Sequence, residues 1–204
     1  MNDYKFTETW FDGNIPNWTN LFTALKEQLD FVPKSVLEIG CFEGRATTWL
    51  CDNILQEGTR YDIVDTFGGS LNETGMGEAG EKLKEEDFIY NNFRHNISFH
   101  DKINFTIHRG ESQKILPTFD LTPTYDFIYI DASHRADDTF VDAYYANKLL
   151  KNTGLMIFDD FGWKDPKDTH PSISPELGVH TFIANYDREY KLVMKGYQVA
   201  VWKK

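Results

Sequence analysis

Two glycines four residues apart, set between a short aliphatic run and a helical pattern, constrain this chain more than any other feature. The stretch is Val36-Leu37-Glu38-Ile39-Gly40-Cys41-Phe42-Glu43-Gly44-Arg45, and Ala46, Trp49, Leu50 and Ile54 then recur on one side of a helix. Such a pattern predicts a strand, a tight turn and a helix. In an open α/β sheet this turn lies at the carboxyl end of its strand, where ligands bind, and glycine lets the backbone come close to a ligand. A nucleotide-like cofactor is therefore the first ligand class to test.

A dinucleotide fingerprint would need glycines at 42 and 45, where the chain has Phe42 and Arg45. This disfavours a nicotinamide-dependent oxidoreductase. Glu38 at the strand end and Glu43 in the loop would also set carboxylates where a pyrophosphate has to sit, and like charges are costly there. A ligand carrying an ammonium and a sulfonium suits them better, and S-adenosylmethionine (SAM) is such a ligand. The stretch resembles the first motif of class I SAM-dependent methyltransferases, E/D-x-G-x-G-x-G, with Glu38, Gly40 and Gly44 in place and Phe42 at its middle glycine. The version with a bulky residue there is similar to a subgroup that includes sugar and small-molecule O-methyltransferases. The resemblance implies that Glu38, Gly40, Cys41, Phe42 and Gly44 serve the cofactor. Gly40 is expected at its closest approach, so that a side chain there would block the ligand and leave the domain folded.

Length and charge narrow the reading. At 204 residues the chain is expected to form one domain with a single core, its N-terminal 33 residues packing on the sheet. No apolar run is long enough to span a bilayer, and the polar start is unlike a signal peptide, so a cytoplasmic location is expected. Cys41 and Cys51 form no C-x-x-C pair and point to neither a zinc site nor a disulfide framework. A net charge of −11 repels phosphate backbones, which disfavours a nucleic-acid substrate. Nothing in the sequence sets an oligomeric state.

In chain order, Pro16 suits the first turn of a helix whose Trp18, Leu21, Phe22, Leu25 and Leu29 face inward until Pro33. Trp10 and Phe11 precede it as aromatics that could close over an acceptor pocket. Arg60 to Asp65 reads as a second strand, and Asp65 lies 21 positions beyond Gly44, near the spacing of about 20 at which open α/β folds place a carboxylate for ribose hydroxyls. Thr66 follows it, and Phe67 is placed to line an adenine site. Gly68 to Glu81 reads as loop, Glu85 to Phe99 as helix and Ile103 to His108 as the third strand. Arg109-Gly110-Glu111-Ser112-Gln113 then resembles the G-x-S-Q segment of catechol-type O-methyltransferases, which implies that Ser112 and Gln113 sit beside the adenine.

Tyr125 to Asp131 is apolar enough for a buried parallel strand, and a helix is expected from about Asp137 until Gly154. Leu155 to Phe158 forms the fifth strand, Phe161 to Glu176 a loop, Leu177 to Tyr186 a helix, and Tyr190 to Trp202 a hairpin turning at Lys195-Gly196. The order I-D-x-x-H, helix, strand, D-D matches the same methyltransferase subgroup. The expected fold is thus an α/β, Rossmann-like class I methyltransferase sandwich, with a mostly parallel sheet, a C-terminal antiparallel hairpin and helices on both faces.

The chemistry implied is methylation of a small hydroxyl acceptor, a sugar or an aromatic, with a SAM- or nucleoside-binding protein lacking transferase activity as the alternative. Two ways of handling the acceptor proton stand open. His134 can act as the base, or Asp131, Asp159 and Asp160 can hold Mg²⁺, Mn²⁺ or Ca²⁺ that acidifies the hydroxyl. Converging carboxylates repel unless protonated or joined by a cation, which favours the cation. In the catechol-type relatives the matching ligands are Asp, Asp and Asn, with Asp160 here replacing the Asn.

Overall fold

The computed structural model describes residues 2–69 and 87–204. Among them seven strands form one sheet in the order β3-β2-β1-β4-β5-β7-β6. These are β1 (Ser35–Ile39), β2 (Arg60–Asp65), β3 (Asn104–Arg109), β4 (Tyr125–Ile130), β5 (Leu150–Phe158), β6 (Tyr190–Lys195) and β7 (Val199–Lys203). The first five pair in parallel, whereas β7 runs antiparallel to both β5 and β6. The strand order reverses at β1, which has β2 on one side and β4 on the other. That crevice is where open α/β sheets bind ligands.

Alternation along the central strands builds two core layers. Val36, Phe127 and Tyr129 face α1 (Ile15–Leu29), α2 (Arg45–Asn53) and α3 (Phe88–Ile97). Leu37, Ile39, Ile128 and Ile130 face α5 (Ala136–Leu149) and α6 (Pro175–Tyr186). Between β3 and β4 lies the single turn α4 (Ser112–Ile115). All five residues of β1 are buried, as a parallel strand covered on both faces requires. Trp18 of α1 is fully buried among Phe11, Trp49, Phe127 and Tyr129, mostly edge to face, and donates its Nε1 to Gln198 Oε1 at 2.6 Å. No described helix is long and apolar enough to cross a membrane.

Several boundaries differ from the sequence reading. α5 ends at Leu149 and the chain enters β5 at once, five residues before the expected start. Lys151 accounts for this, because its Nζ donates to Asp126 Oδ1 at 2.8 Å and pulls the segment alongside β4. Thr153 then takes a left-handed φ of 60° before Gly154. Phe11 is mostly core, only 6% exposed, and Trp10 is 56% exposed, yet both line the cavity at the carboxyl ends of the strands. α3 spans Phe88–Ile97; the expected loop from Ser70 to Glu81 and the expected helix start at 85 and 86 lie outside the described residues.

Gly40 lines the cavity and also meets a packing need that the sequence reading did not include. Its φ is +82°, and a Cβ placed there would lie 2.1 Å from the backbone oxygen of Asp131. The obstacle to a side chain is the protein's own backbone just beyond β4, so the domain is not expected to accept one without strain. Gly40→Ala is therefore expected to cost about 2–5 kcal/mol, from left-handed strain together with overpacking. Chemical denaturation of the variant measures this; an unfolding free energy equal to the parent's would contradict it.

Candidate active site

The carboxyl ends of the parallel strands open into a cavity of about 920 Å³. Its floor is held by the backbone. Gly40 N–H donates to Val64 O, Asp131 N–H to Ile39 O and Asp159 N–H to Ile130 O, at 2.7–2.9 Å, so the ladder runs on past the strand ends. Of the residues singled out by sequence, Gly40, Cys41, Phe42, Asp65, Thr66, Ser112 and Gln113 line this cavity, as do Asp131, His134, Asp159 and Asp160. Glu38, Gly44 and Phe67 are absent from its wall.

Each absence has a packing reason. Glu38 shares its face with Val36, two positions back, and so points toward α2 rather than to the strand end. There it is fully buried, with Oε2 accepting from Thr47 Oγ1 at 2.6 Å and Tyr61 OH at 2.7 Å. Gly44 has φ +79° and meets the Phe93 ring, serving turn and packing. Phe67 is buried with its ring 5.0 Å from Tyr90 and 5.1 Å from Phe93, a core contact rather than an adenine shelf.

Asp65 braces the turn. Oδ2 accepts from the N–H groups of Cys41 and Phe42 at 2.6 and 2.9 Å, and Oδ1 from that of Phe67. A carboxylate has about four acceptor sites, so capacity remains for a ligand hydroxyl. The bracing lets Phe42 hold a φ of 51°, with its ring 5.3 Å from that of Trp10. Glu43, also on the cavity wall, has both its carboxylate oxygens engaged by the protein. Its Oε2 accepts from Thr7 N–H and its Oε1 from Asn92 Nδ2, tying the N-terminal segment to the loop.

The opposite wall carries the acids. Burial raises the carboxyl of Asp131 well above the ordinary range, with repulsion from Asp159 next in importance, and Asp159 is raised likewise by burial and by Asp160. Tyr129 OH stands between them, donating to Asp159 Oδ2 and lying 3.2 Å from Asp131 Oδ2. Gln198 Nε2 reaches the same hydroxyl at 3.5 Å, which joins the acids to Trp18. Asp160 is engaged elsewhere, with Oδ2 2.6 Å from His134 Nε2 and Oδ1 accepting from Tyr197 OH at 2.8 Å. The three acids thus do not form a cation cradle as arranged, and among the described residues no three His, Cys, Asp or Glu side chains are grouped to hold a metal ion.

Sequence reasoning missed Tyr129, Gln198 and Tyr197. A buried Tyr two positions before Asp131 shares that residue's face and needs a partner, which is a usable signal. Gln198, 69 positions away, offered none. His134 also packs against Trp163, with ring centroids 4.2 Å apart and the planes tilted by 37°.

A family profile described as a methyltransferase domain matches residues 37–161, which hold the braced turn and the acid-bearing strand ends. The chain belongs to this methyltransferase-domain family. An O-methyltransferase of Aspergillus hancockii is 32% identical over 128 residues, 63% of this chain and 43% of that protein, so the chain spans less than half of its relative's length. Among solved structures, an O-methyltransferase from Bacillus cereus in complex with SAH superposes with a TM-score of 0.58 at 17% identity, covering 97% of this chain and 82% of the other. The O-methyltransferase TomG from Streptomyces achromogenes, in complex with SAM and involved in tomaymycin synthesis, gives 0.62 at 17% identity, covering 93% and 80%. At these identities the likeness establishes the methyltransferase fold.

Glu38 gives the methyltransferase domain a pH-dependent stability. Burial lifts its pKa from the ordinary 4.5 to about 7, against hydrogen bonds from Thr47 and Tyr61 that lower it. Between those values the folded state binds the extra proton, so stability falls as pH rises, by up to about 3 kcal/mol. Glu38→Gln is expected to reduce the difference in unfolding free energy between pH 5 and pH 8, measured in urea. A variant that kept the full difference would contradict the assignment.

Proposed function

We propose that the chain is a SAM-dependent O-methyltransferase acting on a small hydroxylated molecule, a sugar or an aromatic. One observation carries the reading: the Asp65-braced turn and the His134–Asp160 pair open into the same cavity. The residues fit the donor. Asp65 offers an acceptor for ribose hydroxyls, Ser112 and Gln113 offer polar groups to an adenine edge, and the acids suit positive charge. Arg45, a cation on the wall, is neutralised by Asp12 at 2.6 Å. When bound, SAM supplies a methyl group already activated on a positively charged sulfur.

The remaining work falls to the chain's own groups. Orienting the acceptor can supply roughly 7–11 kcal/mol of the barrier. Trp10 and Phe42 on one side and Trp163 on the other give flat apolar surfaces for a ring, while Asp160 and Tyr197 offer polar contacts. The acceptor's proton passes to the His134–Asp160 pair, whose Nε2 and Oδ2 lie 2.6 Å apart so that the carboxylate stabilises the imidazolium formed, with Trp163 packed against the imidazole. A net charge of −11 supports a small acceptor over nucleic acid.

Incubation with SAM and a panel of hydroxylated sugars and phenols is expected to release SAH with at least one acceptor. His134→Gln should lower that rate about 10²–10⁴-fold with SAM affinity retained. Turnover that persists in excess chelator supports the His134–Asp160 route. Loss of turnover in chelator, restored by Mg²⁺, Mn²⁺ or Ca²⁺, would instead assign Asp131, Asp159 and Asp160 to a cation. Tight SAM binding without turnover on any acceptor would make the chain a binding protein.

A further inference from the structure

α5 buries an acid that the proton route leaves unused. Asp142 is fully buried beside α4, its Oδ1 accepts from Gln113 Nε2 at 3.4 Å, and its Oδ2 has no hydrogen-bond partner. Burial raises its pKa to about 7, with the Ser112 hydroxyl pulling it back. An unpaired carboxylate oxygen in a core is costly, and an aliphatic side chain would fill the space without that cost. Both residues that Asp142 approaches, Ser112 and Gln113, line the cavity.

The acid sets which end of an amide faces the ligand. An amide can present either its NH₂ or its oxygen, whereas a carboxylate, the form Asp142 takes above about pH 7, only accepts. With its NH₂ engaged by Asp142 and the residue on the cavity wall, Oε1 is the end of the Gln113 amide left for a ligand. We propose that Asp142 is a positioning residue that fixes Gln113 as a hydrogen-bond acceptor, so that the cavity selects an adenosyl ligand with a 6-amino group over its 6-oxo counterpart. The inference rests on the donor reading above. An acceptor at that place pairs with an exocyclic amino group and is left facing another acceptor when the ring carries a 6-oxo group, which is the kind of mismatch that discriminates strongly.

The test is calorimetric binding at about pH 8.5, where Asp142 is ionised, of two probes, SAH and its deaminated 6-oxo form, S-inosylhomocysteine. The unaltered protein is expected to bind SAH at least about 10-fold more tightly. In Asp142→Leu the gap should shrink to within about 3-fold, because Gln113 is free to turn over. An Asp142→Leu protein that melts like the parent and keeps the full gap overturns the proposal. So does a parent that binds SAH and the 6-oxo form equally. Should Asp142→Leu fail to fold, Gln113→Leu removes the amide at the wall itself; loss of the gap supports the proposal and its persistence overturns it. A parent that binds neither probe removes the donor reading, and this inference with it.

Discussion

The carboxylate of Asp65 holds the site together. It sits at the end of β2 and accepts backbone N–H groups from the turn after β1 and from its own following loop. Hydrogen bonds to a charged acceptor contribute roughly 1.5–3 kcal/mol each, enough to offset the left-handed backbone at Phe42 and Phe67. The turn is thereby stiff before any ligand arrives. Gly40 lets the same turn press against the backbone of Asp131, so the ends of β2, β1 and β4 share one framework. The loops that carry the chemistry start from fixed positions.

A second constraint comes from the N-terminal segment. Glu43 ties it to the loop through Thr7 and ties the loop to α3 through Asn92, while Asn96 exchanges hydrogen bonds with the backbone of Lys5 and also donates to Glu43 O. That strap carries Trp10 onto Phe42 at the cavity's edge. The acceptor wall is therefore built partly by residues that precede the first strand, and a carboxylate within the glycine turn is spent on joining the two.

Much of this was legible in the sequence because strand periodicity and turn chemistry are local. Val36 to Gly44 reads directly as strand, turn and helix, and Arg60 to Asp65 has the same limits in the sequence reading and in the structure. The reading ran out where distant residues decide. Glu38 looks like a strand-end acid, yet its face is set by the pleat and its partners are Thr47 and Tyr61. The acids at 131, 159 and 160 suggest a cation, but Tyr129, Gln198 and Tyr197 supply neutral donors and His134 engages the third. No short-range pattern links position 198 to position 129. The end of α5 was misplaced because Lys151 answers to Asp126 across the sheet rather than to its helical neighbours.

If the Asp65-braced turn is the seat of the adenosyl donor, the carboxylate must matter to that ligand and not only to the loop. Titration calorimetry of SAM into the parent and into Asp65→Ala, with circular dichroism as the check on folding, tests this most directly. A loss of affinity of about 10- to 100-fold in a folded variant is the expected result. Unchanged affinity in a folded variant would contradict the account and take the donor site away from this turn.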